Sequence, residues 1–344
     1  MTYRVIQWAT GSIGKTCLRA VLDSPDCELA GLYVYSDRKL GKDAGAIARR
    51  ADTGVLATGD IEDILALDAD VVIHTARLQI PYERHDDDIC RLLRSGKNVI
   101  TTSGQHYPQA HGRAERFAEA CQEGGTSLFG AGVSPGFIGE RLALTLASAS
   151  LDLDAIVIDE VFDASGMISP DFVFTVMGMG TDPAETDLMA GPLPDLYRTL
   201  YSETLCFMAD SLGLAGYTVD SDHHVELAPK DITVRAGSIR AGTVAATEWR
   251  WHVVAAGRRR LSLSIIWTMD PTLPRYAGRP HWQLHMTGLP ELTMSMDLHD
   301  PVDADVMTTG GQYIVAGIVM RAIPVVVASD PGVVTPMTFA PYNF

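Results

Sequence analysis

Residues 101–107 read Thr-Thr-Ser-Gly-Gln-His-Tyr and gather several groups able to hold or pass a proton. His106 has an intrinsic pKa near neutrality, so its imidazole could protonate a developing alkoxide or amine, and Tyr107 carries a phenolic hydrogen for the same use. Gln105 can position a substrate but cannot take up a proton. The plainer role for His106 and Tyr107 is to line a cleft, or to cap the next helix, without transferring anything. A second set lies in Asp159-Glu160-Val161-Phe162-Asp163, where Glu160 or Asp163 could hold a substrate ammonium or act as a base. Carboxylates on strands are usually solvated, which is the competing reading. Two further clusters suggest metal chemistry at first sight. Glu83-Arg84-His85-Asp86-Asp87-Asp88 is better explained by acidic residues at a helix N-terminus. His223-His224 sits in a polar stretch, read as a loop, and lacks a third ligand at zinc spacing, so no metal is expected. His74, at a strand end, is expected to be packed and hydrogen-bonded.

The elements that would position these groups begin at the N-terminus. Val5 to Trp8 is an apolar strand, and Ala9-Thr10-Gly11-Ser12-Ile13-Gly14 follows as A-T-G-S-I-G. An amphipathic run comes next (Leu18, Val21, Leu22), then a second strand from Leu29 to Tyr35. This is the order of a dinucleotide-binding βαβ unit, with alanine in place of the first glycine of G-x-G-x-x-G. Gly11 would let backbone approach a pyrophosphate and Gly14 would let the helix pack on the sheet, while the unpaired N–H groups of the helix start hold the anion. The alanine methyl is expected to fit if φ stays negative there. Past the second strand come Ser36, Asp37, Arg38 and Lys39. A hydroxyl and two cations suit the 2′-phosphate of NADP(H), so NADP(H) is favoured over NAD(H), although Asp37 would favour the ribose hydroxyls of NAD if it points inward.

The alternation continues. Helices are expected over 61–67, 82–95 and 112–123, and strands over 70–76, 98–102 and 127–130. Strands alternating with helices predict a doubly wound parallel (Rossmann) sheet over residues 1–135. Ligands of such sheets bind beyond the carboxyl ends of the strands. That brings Thr75, Ala76, Thr101, Thr102, Pro135 and Gly136 to the cofactor rim. From about residue 150 the pattern changes to period two: Thr247, Trp249, Trp251, Val253; Leu261, Leu263, Ile265, Trp267; Trp282, Leu284, Met286; Leu292, Met294, Met296, Leu298. This predicts a second α+β domain over 136–306, built on an open, mainly antiparallel sheet. Its apolar face must be covered by a second subunit, giving a homodimer, or by a helix of the same chain such as 194–212. Phe174, Met177 and Met179 are pocket candidates on pattern alone, with core packing the competing role. A helix over 307–322, within a C-terminal segment 307–344, is expected to pack back on the first domain. Crossings near 135 and 306 would then flank a substrate cleft.

The 344 residues carry a net charge of −16, with 47% hydrophobic and 20% charged residues. That composition predicts a sizeable core, and the negative field disfavours nucleic acid as a partner. Arg258-Arg259-Arg260 after Gly257 reads as a solvated hairpin turn. Five scattered cysteines with no C-x-x-C argue for free thiols in a reducing, cytoplasmic setting. The N-terminus enters a strand at once, which leaves no room for a signal peptide, and no apolar run of span length is expected.

Taken together, the chain resembles the family with a dihydrodipicolinate reductase-like N-terminal domain that includes 2,4-diaminopentanoate dehydrogenase and the natural amine dehydrogenases. The resemblance rests on residues 7–14, Leu40-Gly41-Lys42-Asp43-Ala44-Gly45, Gly96-Lys97-Asn98-Val99-Ile100-Thr101-Thr102, Gly132-Val133-Ser134-Pro135-Gly136-Phe137, Ala322-Ile323-Pro324 and Pro331-Gly332-Val333-Val334-Thr335. It implies NAD(P)H, a homodimer and hydride transfer to an imine formed from a carbonyl and ammonia. Two departures stand out. The His-His-x-x-Lys motif of the true dihydrodipicolinate reductases is absent, since after His223-His224, Val225 and Glu226 there is no lysine until Lys230. The loop before Tyr107-Pro108 also lacks the glutamate of the amine dehydrogenases, having Gln105 and His106 instead. Carbonyl reduction without amine chemistry, and a catalytically silent NADP(H)-binding sensor, are therefore the alternatives.

Overall fold

The computed structural model describes residues 2–190, 192–302 and 308–337. The chain divides into two compact units, one comprising Met1–Ile138 with His299–Met337 and the other Gly139–Leu298. The divisions fall at 138/139 and 298/299, against the expected 135 and 306; position 306, Met307 and residues 338–344 lie outside the described residues.

The first unit is built from β1 (Tyr3–Trp8), α1 (Ser12–Asp23), β2 (Cys27–Tyr33), α2 (Ala44–Ala48), β3 (Ala57–Thr58), α3 (Ile61–Leu65), β4 (Val71–His74), α4 (Asp86–Arg94), β5 (Asn98–Thr101), α5 (Ala114–Gly124) and β6 (Ser127–Gly130). β4 is buried at every position, as a parallel strand covered on both faces must be. α4 carries Asp86, Asp87 and Asp88 in its first turn and Arg91 and Arg94 in its last, which complements the helix dipole at both ends. A 3-10 turn, Tyr82–His85, occupies the start of the longer helix expected there.

The second unit contains α6 (Leu144–Ala147), β7 (Asp152–Asp163), α7 (Pro192–Ser211), β8 (Thr218–Leu227), β9 (Ile232–Val234), β10 (Gly237–Ile239), β11 (Val244–Ala255), β12 (Arg258–Thr268), β13 (Trp282–Leu289) and β14 (Leu292–Met296). Its six-stranded sheet runs β14-β13-β7-β12-β11-β8, with every pair antiparallel except β12–β7. The apolar face read from the sequence is real, and α7 of the same chain packs on it. Tyr201 stacks on Trp251 at 4.4 Å between ring centroids, and Tyr197 meets Trp249 and Trp267 edge-on. His223-His224 is part of strand β8, not a loop, and the His223 ring lies 4.2 Å from that of Trp249. The three arginines after Gly257 open β12 and are tied to neighbouring strands. Arg258 pairs with Asp154, Arg259 pairs with Asp222, and Arg260 donates to the Asp154 and Leu153 carbonyls.

The chain closes with α8 (Gly310–Val327) and β15 (Gly332–Val334), both in the first unit. β15 was not legible as a strand. It adds parallel to β6 and completes a seven-stranded, all-parallel sheet in the order β15-β6-β5-β4-β1-β2-β3. α8 begins with a capping box between Thr309 and Gln312. It corrects the expectation of no span-length apolar run: its 18 residues, with mean hydropathy 1.6, are long and apolar enough by length and composition to cross a membrane. In this fold Ala316, Val319, Ala322, Ile323 and Val326 join the core formed with α1 and the sheet.

Candidate active site at the carboxyl edge of the parallel sheet

The β1–α1 turn is shaped for an anion. Gly11 caps α1 with extended backbone (φ −67°, ψ −164°) and no side-chain cap, so the first-turn N–H groups remain for an outside acceptor. A β-carbon placed on Gly11 would meet no protein atom within 4 Å, whereas one on Gly14 would lie 2.3 Å from the Ala9 carbonyl oxygen and 2.5 Å from Thr75 Oγ1. The two glycines therefore have different reasons: Gly14 is required by the fold, and Gly11 leaves room for something outside it. Ala9 departs from expectation. Its φ is +70°, in the left-handed region where an L-residue costs about 1–2 kcal/mol, so the methyl is carried with strain rather than avoided by a negative φ.

The turn is braced from beneath. Buried Gln7 donates from Nε2 to the Ala9 carbonyl (3.0 Å) and to Thr75 Oγ1 (2.9 Å), and Thr75 Oγ1 donates to the Trp8 carbonyl (2.9 Å). Thr75, expected to touch the cofactor, thus spends its hydroxyl on the turn. Lys39 Nζ donates to the Thr10 carbonyl (2.9 Å) and hydroxyl (2.8 Å), which brings a cation to the turn. Burial, and Lys15 nearby, press its pKa down. Ser36 and Arg38 are exposed on the 3-10 turn after β2. Beside it opens a groove of about 930 Å³ lined by Tyr33, Tyr35, Asp37, Asp60, Asp63 and Asp88 among others. The turn fits a nicotinamide dinucleotide on these observations: room at Gly11, unclaimed helix N–H groups at Ser12, Ile13 and Gly14, and the Lys39 ammonium.

At the ends of β4, β5 and β6 the sequence-selected loops come together. Ser103 Oγ donates to the Ala76 carbonyl (2.7 Å), and the Thr102 N–H donates to the His74 carbonyl (2.9 Å). His106 is buried, and its imidazole lies against the 132–136 loop. A β-carbon on Gly136 would lie 3.0 Å from His106 Cε1, and one on Gly132 would lie 3.4 Å from the same atom. Gly136 also holds φ +116°, beside Pro135, so this loop reaches the histidine only with glycine. Tyr107 is half-buried at the start of a 3-10 turn.

Gln105 does not face outward as a substrate-positioning role requires. It is fully buried in left-handed backbone (φ +58°), donates its backbone N–H to the Tyr82 hydroxyl oxygen (3.2 Å), and donates from Nε2 to Asp86 Oδ1 at 3.3 Å. Arg113 Nη1 donates to both Asp86 oxygens (3.0 and 3.1 Å), and its guanidinium lies 4.6 Å from the Tyr82 ring centroid. Burial pushes the Asp86 carboxyl up and Arg113 pulls it back, with a net upward shift. Sequence reasoning assigned Asp86 to a helix dipole and passed over Arg113. Both belong to a buried network under the 101–107 loop. Thr101 joins it by its hydroxyl, which meets His74 Nδ1 at 3.2 Å. His74 is buried, with its pKa pressed to about 3 by burial and by His85, so the imidazole is neutral.

The second-unit candidates have structural uses. Glu160 Oε2 accepts from Trp282 Nε1 at 3.0 Å, and exposed Asp163 accepts from the Ser165 N–H at 2.9 Å. Met177 and Met179 are buried in a core cluster with Phe174 packed against it. Among the described residues, no group of three metal-ligating side chains converges.

Residues 5–104 match the family model for the N-terminus of dihydrodipicolinate reductase. An amine dehydrogenase of Streptomyces virginiae is 26% identical over 95% of this chain and 93% of its own length. A 4-hydroxy-tetrahydrodipicolinate reductase of Burkholderia mallei is 38% identical over 30% of this chain and 37% of its own. Among solved structures, an amine dehydrogenase from Mycobacterium smegmatis superposes with a TM-score of 0.75 at 18% identity, covering 98% of this chain and 97% of the other. A turn open to a pyrophosphate, a parallel sheet and these relatives agree: the chain carries a dihydrodipicolinate reductase-type N-terminal domain, is related over nearly its whole length to an amine dehydrogenase, and is an NAD(P)-dependent oxidoreductase.

Proposed function

We propose that the enzyme reduces a C=N bond, either in a preformed imine or in one made from a carbonyl and ammonia. One observation carries the reading: a buried histidine, His106, packed against Gly132 and Gly136 at the carboxyl edge of the sheet whose first turn is open to a pyrophosphate. The relation to an amine dehydrogenase over 95% of this chain supports C=N as the bond reduced, with hydride added at carbon and the proton at nitrogen. The Ser12, Ile13 and Gly14 N–H groups hold the pyrophosphate and Lys39 adds charge at the turn. When bound, the reduced nicotinamide supplies the hydride. His106 holds the proton that the product nitrogen or oxygen takes up, and burial of the 101–107 loop keeps bulk water from that proton. NADP(H) is the favoured cofactor, its 2′-phosphate lying on the Arg38–Lys39 side, away from the four carboxylates of the neighbouring groove.

A second reading is supported by Gln105. Its inward amide leaves no carboxylate in residues 103–106 to bind ammonia, which favours reduction of a plain ketone or aldehyde. Absorbance of the reduced cofactor, followed with a panel of ketones and aldehydes with and without ammonia, separates the two. Consumption only with ammonia supports C=N reduction, and equal consumption without it supports carbonyl reduction. Cofactor binding with no turnover on any substrate would overturn both.

We further propose a homodimer. α7 occupies the apolar face of the second sheet, so the partner meets the other face, which bears Asp222, Glu248, Arg250 and His252. Light scattering at two salt concentrations tests it: a salt-weakened dimer is expected, and a monomer at all concentrations would refute it.

A further inference from the structure

We propose that the hollow between α1, α2 and the start of α8 is a binding site for a phosphate dianion or phosphomonoester, separate from the pyrophosphate turn. The hollow measures about 230 Å³ and is lined by Ser12, Lys15, Arg19, Ile47, Arg49, Thr308 and Gln312. Ser12, Lys15 and Arg19 recur at helical spacing, so they form one stripe of α1. A tetrahedral oxyanion fills only part of this volume, which leaves room for the group that bears it.

The charge balance points to a ligand. Arg19 is only 9% exposed, yet its guanidinium meets two neutral hydroxyls, Thr308 Oγ1 at 2.8 Å and Thr16 Oγ1 at 3.1 Å. The Asp23 carboxylate nearby is taken by Arg50 in a two-pronged pairing at 2.7 Å for each bond. Among the described residues no carboxylate pairs with Lys15, Arg19 or Arg49. Arginines elsewhere in this chain of net charge −16 meet carboxylates readily, as Arg4, Arg91, Arg94 and Arg250 do. A desolvated cation without a counter-charge is costly, and buried Arg19, with half-buried Lys15 and exposed Arg49 at the same concavity, is compensated by an anion from outside. Burial also presses the Arg19 guanidinium down from its ordinary value, the direction an anion would reverse. Arg49 is held at the hollow in left-handed backbone (φ +60°), a conformation a non-glycine residue adopts at a cost.

Two sources of this chemistry must be told apart: a free phosphate or phosphate ester, which the hollow takes, and the 2′-phosphate of NADP(H), which is placed on the Arg38–Lys39 side. Calorimetric titration of inorganic phosphate into protein saturated with NADH distinguishes them, because NADH fills the pyrophosphate turn and carries no 2′-phosphate. Saturable binding is expected, weakened at least ~10-fold in Arg49→Gln and in Lys15→Gln. Repetition with NADPH identifies the source. Retention of phosphate binding is expected, and its loss would assign the hollow to the 2′-phosphate and overturn a separate site. The proposal is overturned by absence of saturable phosphate binding, by an adventitious ion only, held at high concentration without saturation, or by affinity within twofold of wild type in both variants. Failure to bind NADH would strike the cofactor reading instead; titration of the cofactor-free protein then tests the hollow by itself. Thermal melts of Arg49→Gln, altered at an exposed position, show whether the variant is folded.

Discussion

The Gln105 side-chain amide donates to the Asp86 carboxylate at 3.3 Å, in a site where neither residue is exposed. A glutamine at this position can therefore satisfy a buried carboxylate that a glutamate could not. Gln105→Glu places a second carboxylate against Asp86, so one of the two must be protonated or the pair repels. We expect a loss of about 2–3 kcal/mol at pH 8, reduced at pH 5, by urea denaturation. Asp86→Asn leaves the Arg113 guanidinium, 8% exposed, against a neutral amide, and about 3–5 kcal/mol is expected to be lost. Equal stability of both variants and wild type at pH 8 would remove the network from the account.

Gly11 and Gly14 separate binding from folding. Gly11→Ala meets no protein atom and keeps an allowed φ, so the melting temperature should hold while cofactor affinity falls at least ~10-fold, read by fluorescence titration. Gly14→Ala must displace the Ala9 carbonyl, and a destabilisation of about 1–3 kcal/mol is expected even without cofactor. The reverse pattern would mean that the pyrophosphate does not lie over Gly11.

His106→Gln should lower kcat by about 10²–10⁴-fold with little change in cofactor dissociation constant, the range for loss of a positioned proton donor. The same variant should lose the alkaline limb that a proton-donating histidine imposes on the pH–rate profile. An unchanged profile at reduced rate would point to packing against Gly136 as the whole role of His106.

Arg38→Ala should raise the KM for NADPH far more than that for NADH, because an exposed cation beside the 2′-position contributes nothing to the ribose hydroxyl of NADH. Equal effects on the two cofactors would remove the preference for NADP(H).

Acid stability should carry the signature of His74. Its folded pKa is about 3 against an ordinary value of 6.5, so between these limits the unfolded chain binds a proton that the folded chain does not. Stability from this residue is complete above pH 6.5 and is lost progressively as pH falls toward 3. Down to pH 4.5 the slope allows a loss of about 2–3 kcal/mol, and His74→Gln should flatten that part of the profile. Parallel pH profiles for wild type and variant would refute it.

The β1–α1–β2 unit was legible because its signals are local: an apolar run, two glycines at fixed spacing, an amphipathic stripe and a second apolar run. The apolar face of the second sheet was legible for the same reason, since period two depends only on the strand itself. β15 was not, because three residues have too little pattern to outvote their surroundings and become a strand only beside β6. β8 was read as a loop because its polar residues, Asp220, Asp222 and His224, pair with the polar face of β11 rather than with water alone.

What the amino-acid order determined alone was the α/β class and the phosphate turn, and it marked His106 and Tyr107 as candidates for proton transfer, since each follows from residue type and short spacing. Tertiary structure decided the rest. It chose α7 as cover for the apolar sheet, turned Gln105 inward onto an Asp86 that lies 19 positions earlier, and put Thr75 to bracing the turn. It also left Lys15, Arg19 and Arg49 around one hollow. These outcomes depend on which distant side chains share a space and which charges must be neutralised there, and neither property is carried by any segment of the chain on its own.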